Sequence, residues 1–198
     1  MGSPLRIGVF GGTFDPIHNA HRELARTAQT AAGLDKVLFV VSARPPHKGG
    51  ETHASAEDRY ALVCAAVADI PGAEASRFEM ERNGPSYTVD TLRAVGEAYP
   101  GAALFLIAGY DALLDLPKWR DMEGILRRAR LLVAPRPGPV LPPSPILEGH
   151  YDLLPFAESD LSSTGMRERI RMGAPLDGLA PPAVVRLIAE KGMYRADR

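Results

Sequence analysis

The chain is poor in several things, and each scarcity removes a class of explanation. It has one cysteine, Cys64, so no disulfide can close within it and a disulfide scaffold is excluded. That cysteine falls in an apolar helical pattern and reads as a buried structural thiol. Uninterrupted apolar runs such as Ala102 to Ala108 are far shorter than the roughly 20 residues of a membrane helix, so no membrane partner is expected. Lysine and arginine number 23 against 24 acidic residues, a net charge of −1, which leaves no basic field for nucleic acid. Neither a Gly-x-Gly-x-x-Gly fingerprint nor a Walker loop occurs, which argues against a dehydrogenase or a P-loop enzyme. No acidic cluster suggests a metal caged by the protein. Met1-Gly2-Ser3-Pro4 leads straight into an apolar run without a signal-peptide pattern, so a cytoplasmic protein is expected.

What is there is ordinary in bulk and specific in places. The 198 residues, 45% apolar and 24% charged, suit one globular domain with a proper core. The most informative stretch is Gly11-Gly12-Thr13-Phe14-Asp15-Pro16-Ile17-His18-Asn19-Ala20-His21. It follows an apolar run, Leu5 to Phe10, and precedes a segment of helical period from about Ile17 to Ala32, with Gly33 placed to cap it. Lys36 to Val41 reads as a second strand. Strand, helix and strand this close make a βαβ unit, so a parallel sheet with right-handed crossovers is expected. The glycine turn then lies at the carboxyl end of the first strand, where open α/β sheets bind ligands. Paired glycines allow close approach to the backbone, and a helix start favours phosphate. His18 and His21 would share one face of the first helical turn and could donate to a phosphoryl oxygen.

Further along, Pro45-Pro46-His47-Lys48 forms a loop opening from the same sheet edge. Ser55 is placed to cap a largely apolar helix, and Ala75 to Glu81 could form a strand. Gly84-Pro85-Ser86-Tyr87-Thr88-Val89-Asp90-Thr91-Leu92 makes a turn and a helix start, which Ser86 or Thr88 could cap. Ala103 to Ala108 has the continuous apolar character of a strand buried on both faces, and it runs into Gly109, Asp111 and, further on, Trp119 and Arg120. Arg130 to Ala134 reads as the fifth strand and Tyr151 to Pro155 as a short sixth. Between them, Pro135 to Pro145 holds six prolines and should be an irregular loop. Leu161-Ser162-Ser163-Thr164-Gly165-Met166-Arg167 opens a helix whose first turn would carry Arg167. A cation there opposes the helix dipole unless an anion is also present. A last helix, about Pro182 to Glu190, precedes Gly192-Met193-Tyr194.

Taken in order, these strings resemble the motifs of the bacterial nicotinate mononucleotide adenylyltransferases, in the nucleotidyltransferase superfamily. Ala20, Tyr110 and Met166 depart from the family pattern. The resemblance implies a Rossmann-like α/β fold, a parallel sheet with helices on both faces. It implies one domain over residues 1–198, whose C-terminal helical part, about 160–198, completes the ATP site. It also implies transfer of the adenylyl group of ATP to nicotinate mononucleotide by direct in-line displacement. His18, His21 and Arg167 would be catalytic. Gly11, Gly12, Thr13, Phe14, Lys48, Thr88, Gly109, Asp111, Trp119, Arg120, Ser163 and Thr164 would bind substrates. Within that set, Asp111 would accept from ribose hydroxyls, Trp119 would stack on the pyridine ring, and donors near Thr88 and Arg120 would receive the carboxylate. Mg²⁺ would be held mainly by the substrate phosphates. A homo-oligomer is compatible with the sequence. Competing readings are a related nucleotidyltransferase (for nicotinamide mononucleotide, pantetheine phosphate or cytidylyl transfer), a hydrolase with a metal on His18 and His21, and a non-catalytic nucleotide sensor.

Overall fold

In the computed structural model, residues 3–44, 52–82, 84–136, 141–157 and 159–195 are described. The strands are β1 (Arg6–Gly12), β2 (Lys36–Val41), β3 (Ala73–Ser76), β4 (Ala103–Gly109), β5 (Ala129–Ala134) and β6 (Tyr151–Leu153). They form one sheet in the order β3-β2-β1-β4-β5-β6, and every neighbouring pair is parallel. The helices are α1 (Asn19–Ala32), α2 (Ala56–Val67), α3 (Thr88–Ala98), α4 (Tyr110–Asp115), α5 (Met122–Arg128), α6 (Ser163–Arg171) and α7 (Pro182–Glu190). The strand order reverses between β1 and β4, and at that switch point the flanking crossovers leave on opposite faces and open a crevice.

The alternation of a strand explains how the sheet is covered. In β2, Val37, Phe39 and Val41 face an apolar layer with Leu24, Ala25 and Ala28 of α1, Leu62, Val63 and Ala66 of α2, and Val184 and Ile188 of α7. Leu38 and Val40 face the opposite layer with Val89, Leu92 and Val95 of α3 and Ile125 of α5. Val37 to Val41 are wholly buried, as a central parallel strand must be. Each such side chain contributes about 1.5–3 kcal/mol relative to an exposed one. Met166 of α6 and Tyr194 beyond α7 belong to the first layer, so the C-terminal segment packs in the same core as α1. None of the helices among the described residues is long and apolar enough to cross a membrane.

Several local expectations are met and others corrected. Gly33 caps α1 in the left-handed region at φ 56°, and Ser55 Oγ accepts from the Asp58 amide at 3.1 Å. α1 starts at Asn19, with His18 as its N-cap. Ala20 is therefore helical, where a methyl group in place of hydrogen favours the helix. The strand expected over Ala75 to Glu81 ends at Ser76, because the chain turns to direct Glu79 inward onto Thr91. Cys64 is exposed. The buried face of α2 is Arg59, Leu62, Val63, Ala66 and Val67, and that helical spacing turns residue 64 to the outside.

Candidate active site

A cavity of about 450 Å³ opens at the carboxyl ends of β1 and β4, a size suited to a small-molecule ligand. Its walls include Gly11, Gly12, Thr13, Thr88, Gly109, Trp119 and Arg120, all expected from the sequence. The two glycines do different things. A methyl group on Gly12 would come within 2.7 Å of the Phe14 ring, whereas one on Gly11 would meet nothing within 4 Å. Gly12 thus makes room for Phe14, and Gly11 leaves the backbone open to a ligand. Phe14 itself is 2% exposed, with its ring centroid 5.2 Å from that of His21 and 5.5 Å from that of Phe10. Its side chain is core, so Phe14 can serve a ligand only through its backbone, which φ 49° turns back sharply.

α3 presents its N-terminus to this cavity through Thr88 and Tyr87. Its N-cap is Tyr87, and no side chain caps it. Ser86 pairs with Arg44 instead, its Oγ accepting from the Arg44 amide at 3.4 Å. The first amides of α3 are thereby left for an anion. Trp119 packs its indole against the apolar layer around α3 and α5 while lining the cavity. The Arg120 guanidinium lies 4.6 Å over the Tyr87 ring and 3.8 Å from Asp90.

Beside the cavity, the turn after Gly12 delivers the histidine pair. The His18 and His21 rings stack with centroids 3.7 Å apart. The His18 amide donates to His21 Nδ1 at 3.2 Å. That bond makes Nδ1 the acceptor and puts the His21 proton on Nε2, which has no protein acceptor among the described residues. His18 Nδ1 is buried without a partner. Burial pulls the His18 pKa down to about 4. Burial, and then the charge of His18 beside it, holds His21 well below the ordinary value. At neutral pH the pair is two neutral N–H donors at a helix start.

The turn is braced from below and from the C-terminal side. Ser163 Oγ donates to the Pro16 carbonyl at 2.9 Å, and Arg167 Nη1 donates to the Asp15 carbonyl at 2.7 Å. Arg167 Nη2 donates to Thr164 Oγ1 at 3.1 Å, while its Nε is buried and unpartnered. Since α6 begins at Ser163, Arg167 lies in its second turn. The conflict with the helix dipole expected from the sequence is correspondingly weaker. Underneath, the fully buried Arg59 donates from Nη1 to the carbonyls of Thr13 at 2.7 Å and Ser42 at 2.8 Å. Asp15, 3% exposed, accepts from the His53 amide at 2.8 Å.

One expected ligand falls elsewhere. Asp111 is exposed in the first turn of α4 and pairs with Arg136 at 2.6 Å. It does not line the cavity, although its neighbours Gly109 and Ala112 do. Lys48 lies outside the described residues. Reading the sequence passed over Arg59 and Glu79. A signal for Arg59 was present, because a charged residue stands on the apolar stripe of α2. For Glu79 there was none, since it lies within the stretch read as a possible strand, Ala75 to Glu81, as one more charge.

The histidine pair makes a stability prediction. Both folded-state pKa values lie below the ordinary 6.5, so as pH falls through that value the unfolded chain takes up protons first. Stability present above pH about 6.5 is therefore lost progressively on acidification, until folded His18 also protonates near pH 4. Scanning calorimetry should show a falling Tm over this window and a shallower fall for His18→Gln. Equal slopes would mean that His18 does not stay neutral in the folded protein.

Comparison with known proteins agrees with this geometry. Residues 9–169 match the family model described as cytidylyltransferase-like. A Thermus thermophilus protein named "Probable nicotinate-nucleotide adenylyltransferase" is 43% identical over 193 residues, covering 96% of this chain and 100% of that protein. A Saccharopolyspora erythraea protein of the same name is 39% identical over 197 residues, covering 100% and 93%. A solved structure of Plasmodium falciparum nicotinic acid mononucleotide adenylyltransferase, complexed with NaAD, superimposes with a TM-score of 0.78 at 16% identity over 96% of this chain and 97% of that one. At that identity the likeness speaks for the fold.

Proposed function

The chain belongs to the cytidylyltransferase-like family and, within it, to the nicotinate-nucleotide adenylyltransferases, and we infer that it transfers the adenylyl group of ATP to nicotinate mononucleotide. The products are nicotinate adenine dinucleotide and pyrophosphate. The observation that carries this reading is one continuous edge of the sheet. It joins a cavity with an uncapped helix N-terminus and an indole in its wall to a pair of neutral imidazole donors at the start of α1. A pyridine nucleotide fits the first half, with its ring on Trp119 and its carboxylate at the amides of α3 and Arg120. ATP phosphates fit the second, at the start of α1 with His18, His21 and the N-terminal end of α6.

The 5′-phosphate of the mononucleotide attacks the α-phosphorus of ATP in line, and pyrophosphate leaves. Both reactants already carry the reacting groups, so no covalent intermediate is needed. The protein aligns two anions and stabilises charge on the five-coordinate phosphorus. Arg167 and Ser163 hold the C-terminal segment against the Asp15–Pro16 backbone, with Thr164 accepting from the Arg167 guanidinium, which supports a role for residues from about 160 onward in completing the ATP site. The donors around the turn are imidazole N–H, guanidinium and backbone amide, which suit phosphate oxygens and not a hard cation. Among the described residues no three metal-binding side chains come together. Mg²⁺ would thus ride on the phosphates, where it neutralises charge.

Pyrophosphate release from ATP and nicotinate mononucleotide, with and without chelator, tests the reading, and no release with Mg²⁺ present would overturn it. The same assay checks the ring site. Stacking on a base is worth about 1–3 kcal/mol, so Trp119→Ala should lower kcat/KM for the mononucleotide roughly five- to hundredfold. The amide analogue presents N–H to donors and should be at least about tenfold poorer. Equal use of acid and amide would refute the carboxylate pocket.

A further inference from the structure

We propose that Glu79 is the counter-charge for the positively charged pyridine ring, and so a specificity-determining residue for the oxidised nucleotide. The proposal rests on the mononucleotide reading above. Glu79 stands in the turn after β3 and is 7% exposed. Its Oε1 accepts from Thr91 Oγ1 at 2.7 Å, which fixes the carboxylate against α3. It lines the same cavity as Thr88 and Trp119, and it is the one carboxylate among the lining residues. The other charged lining residues, Lys118 and Arg120, are exposed and face Asp115 at 2.8 Å and Asp90 at 3.8 Å. No cation of the described residues pairs with Glu79. A buried carboxylate without a cation is costly, and such groups persist where a ligand brings the opposite charge.

The chemistry of the substrate supplies that charge. The ring nitrogen of nicotinate mononucleotide bonds to ribose and is quaternary, so the ring is a cation bearing an anionic carboxylate. The cavity matches both signs. The α3 amides favour the carboxylate, and Glu79, on the chain segment that precedes α3, favours the ring. Glu79 would hold the ring through charge, in addition to any stacking on Trp119.

The 1,4-dihydro form of the same nucleotide is the probe, because it keeps the ribose, phosphate and carboxylate and removes the ring charge. Wild type should use the oxidised form roughly tenfold or more better in kcat/KM. Glu79→Gln keeps an acceptor for Thr91 and removes the charge. It should lower use of the oxidised form and shrink the oxidised-to-dihydro ratio at least about fivefold. If Glu79 served only Thr91 or a ribose hydroxyl, both forms would suffer alike and the ratio would hold, which would overturn the proposal. Thr91→Val, which keeps the charge, should leave the ratio near the wild-type value. Should Glu79→Gln not fold, Trp119→Leu decides. The preference should survive loss of the indole, and its disappearance would overturn the proposal. A wild type that makes no dinucleotide from either form would instead sink the mononucleotide reading itself.

Discussion

Alanine in place of His18 should lower turnover about 10²–10³-fold, the usual cost of losing one donor aimed at developing charge, while the protein stays folded. The His18 ring is 5% exposed and stacks on His21, yet its Nδ1 meets no protein partner. A buried polar atom left over at a helix start is poised for a ligand oxygen. Because burial keeps the ring neutral near pH 7, its hydrogen bond does not depend on prior protonation. His18→Asn or His18→Gln, which retain an N–H, should recover part of the loss. The fold should survive, since the backbone of residue 18 still opens α1. Steady-state rates on a variant with a wild-type circular dichroism spectrum check this. Turnover within threefold of wild type would remove His18 from the phosphate site.

How much of this was legible beforehand follows from the kind of signal each part sends. Val37 to Val41 of β2 and Leu104 to Ile107 of β4 are buried on both faces, so these residues had to be apolar without interruption, and the bounds of both strands could be read within a residue. α7 could be read likewise from its helical spacing, and Gly33 from the left-handed conformation it alone tolerates cheaply. The region after Ser76 could not. Arg77 leaves the sheet to pair with Glu57 at 2.7 Å and to lie over Tyr60 at 4.0 Å. Nothing in an Arg-Phe-Glu-Met string declares such partners. The site divides in the same way. Gly11, Gly12, His18 and His21 lie in one continuous string, whose local geometry brings them together. Thr88, Trp119 and Arg120 reach the same cavity because β1 and β4 are neighbours, an adjacency no local pattern declares, and it was the family resemblance that singled them out. Asp111 was placed by its position at the end of β4, but α4 begins at Tyr110 and carries it outward to Arg136. Arg59 is the extreme case, since its partners are carbonyls, and any residue has one.

That makes Arg59 the most demanding test of how the turn is held. Its Nη1 serves Thr13 and Ser42, and its Nε serves Ala54 at 3.2 Å. One side chain thus ties the turn after β1 to the end of β2 and to the approach to α2. Its positive charge also sits beside Asp15, which opposes the drop in the guanidinium pKa that burial causes. In Arg59→Met the volume is roughly kept, but three carbonyls lose their donor and the Asp15 carboxylate loses its nearby cation. An unsatisfied buried polar group costs about 1–3 kcal/mol, and a buried charge left unpaired about 3–5 kcal/mol. Even with relaxation the loss takes several kcal/mol from a fold worth about 5–15 kcal/mol. At about 2–4 °C per kcal/mol for a chain of this size, the Tm should fall by roughly 10 °C or more. Arg59→Lys separates the structural from the functional share. A single ammonium keeps the charge near Asp15 but lacks the fork that reaches carbonyls on separate segments. It should fold with a smaller loss of Tm and still turn over about 10²-fold more slowly, since the histidines hang from the turn that Arg59 positions and small misplacements are that expensive. A Met variant melting within about 2 °C of wild type, less than 1 kcal/mol on that scale, would show that the turn is held by its own chain and by the Ser163 and Arg167 contacts alone.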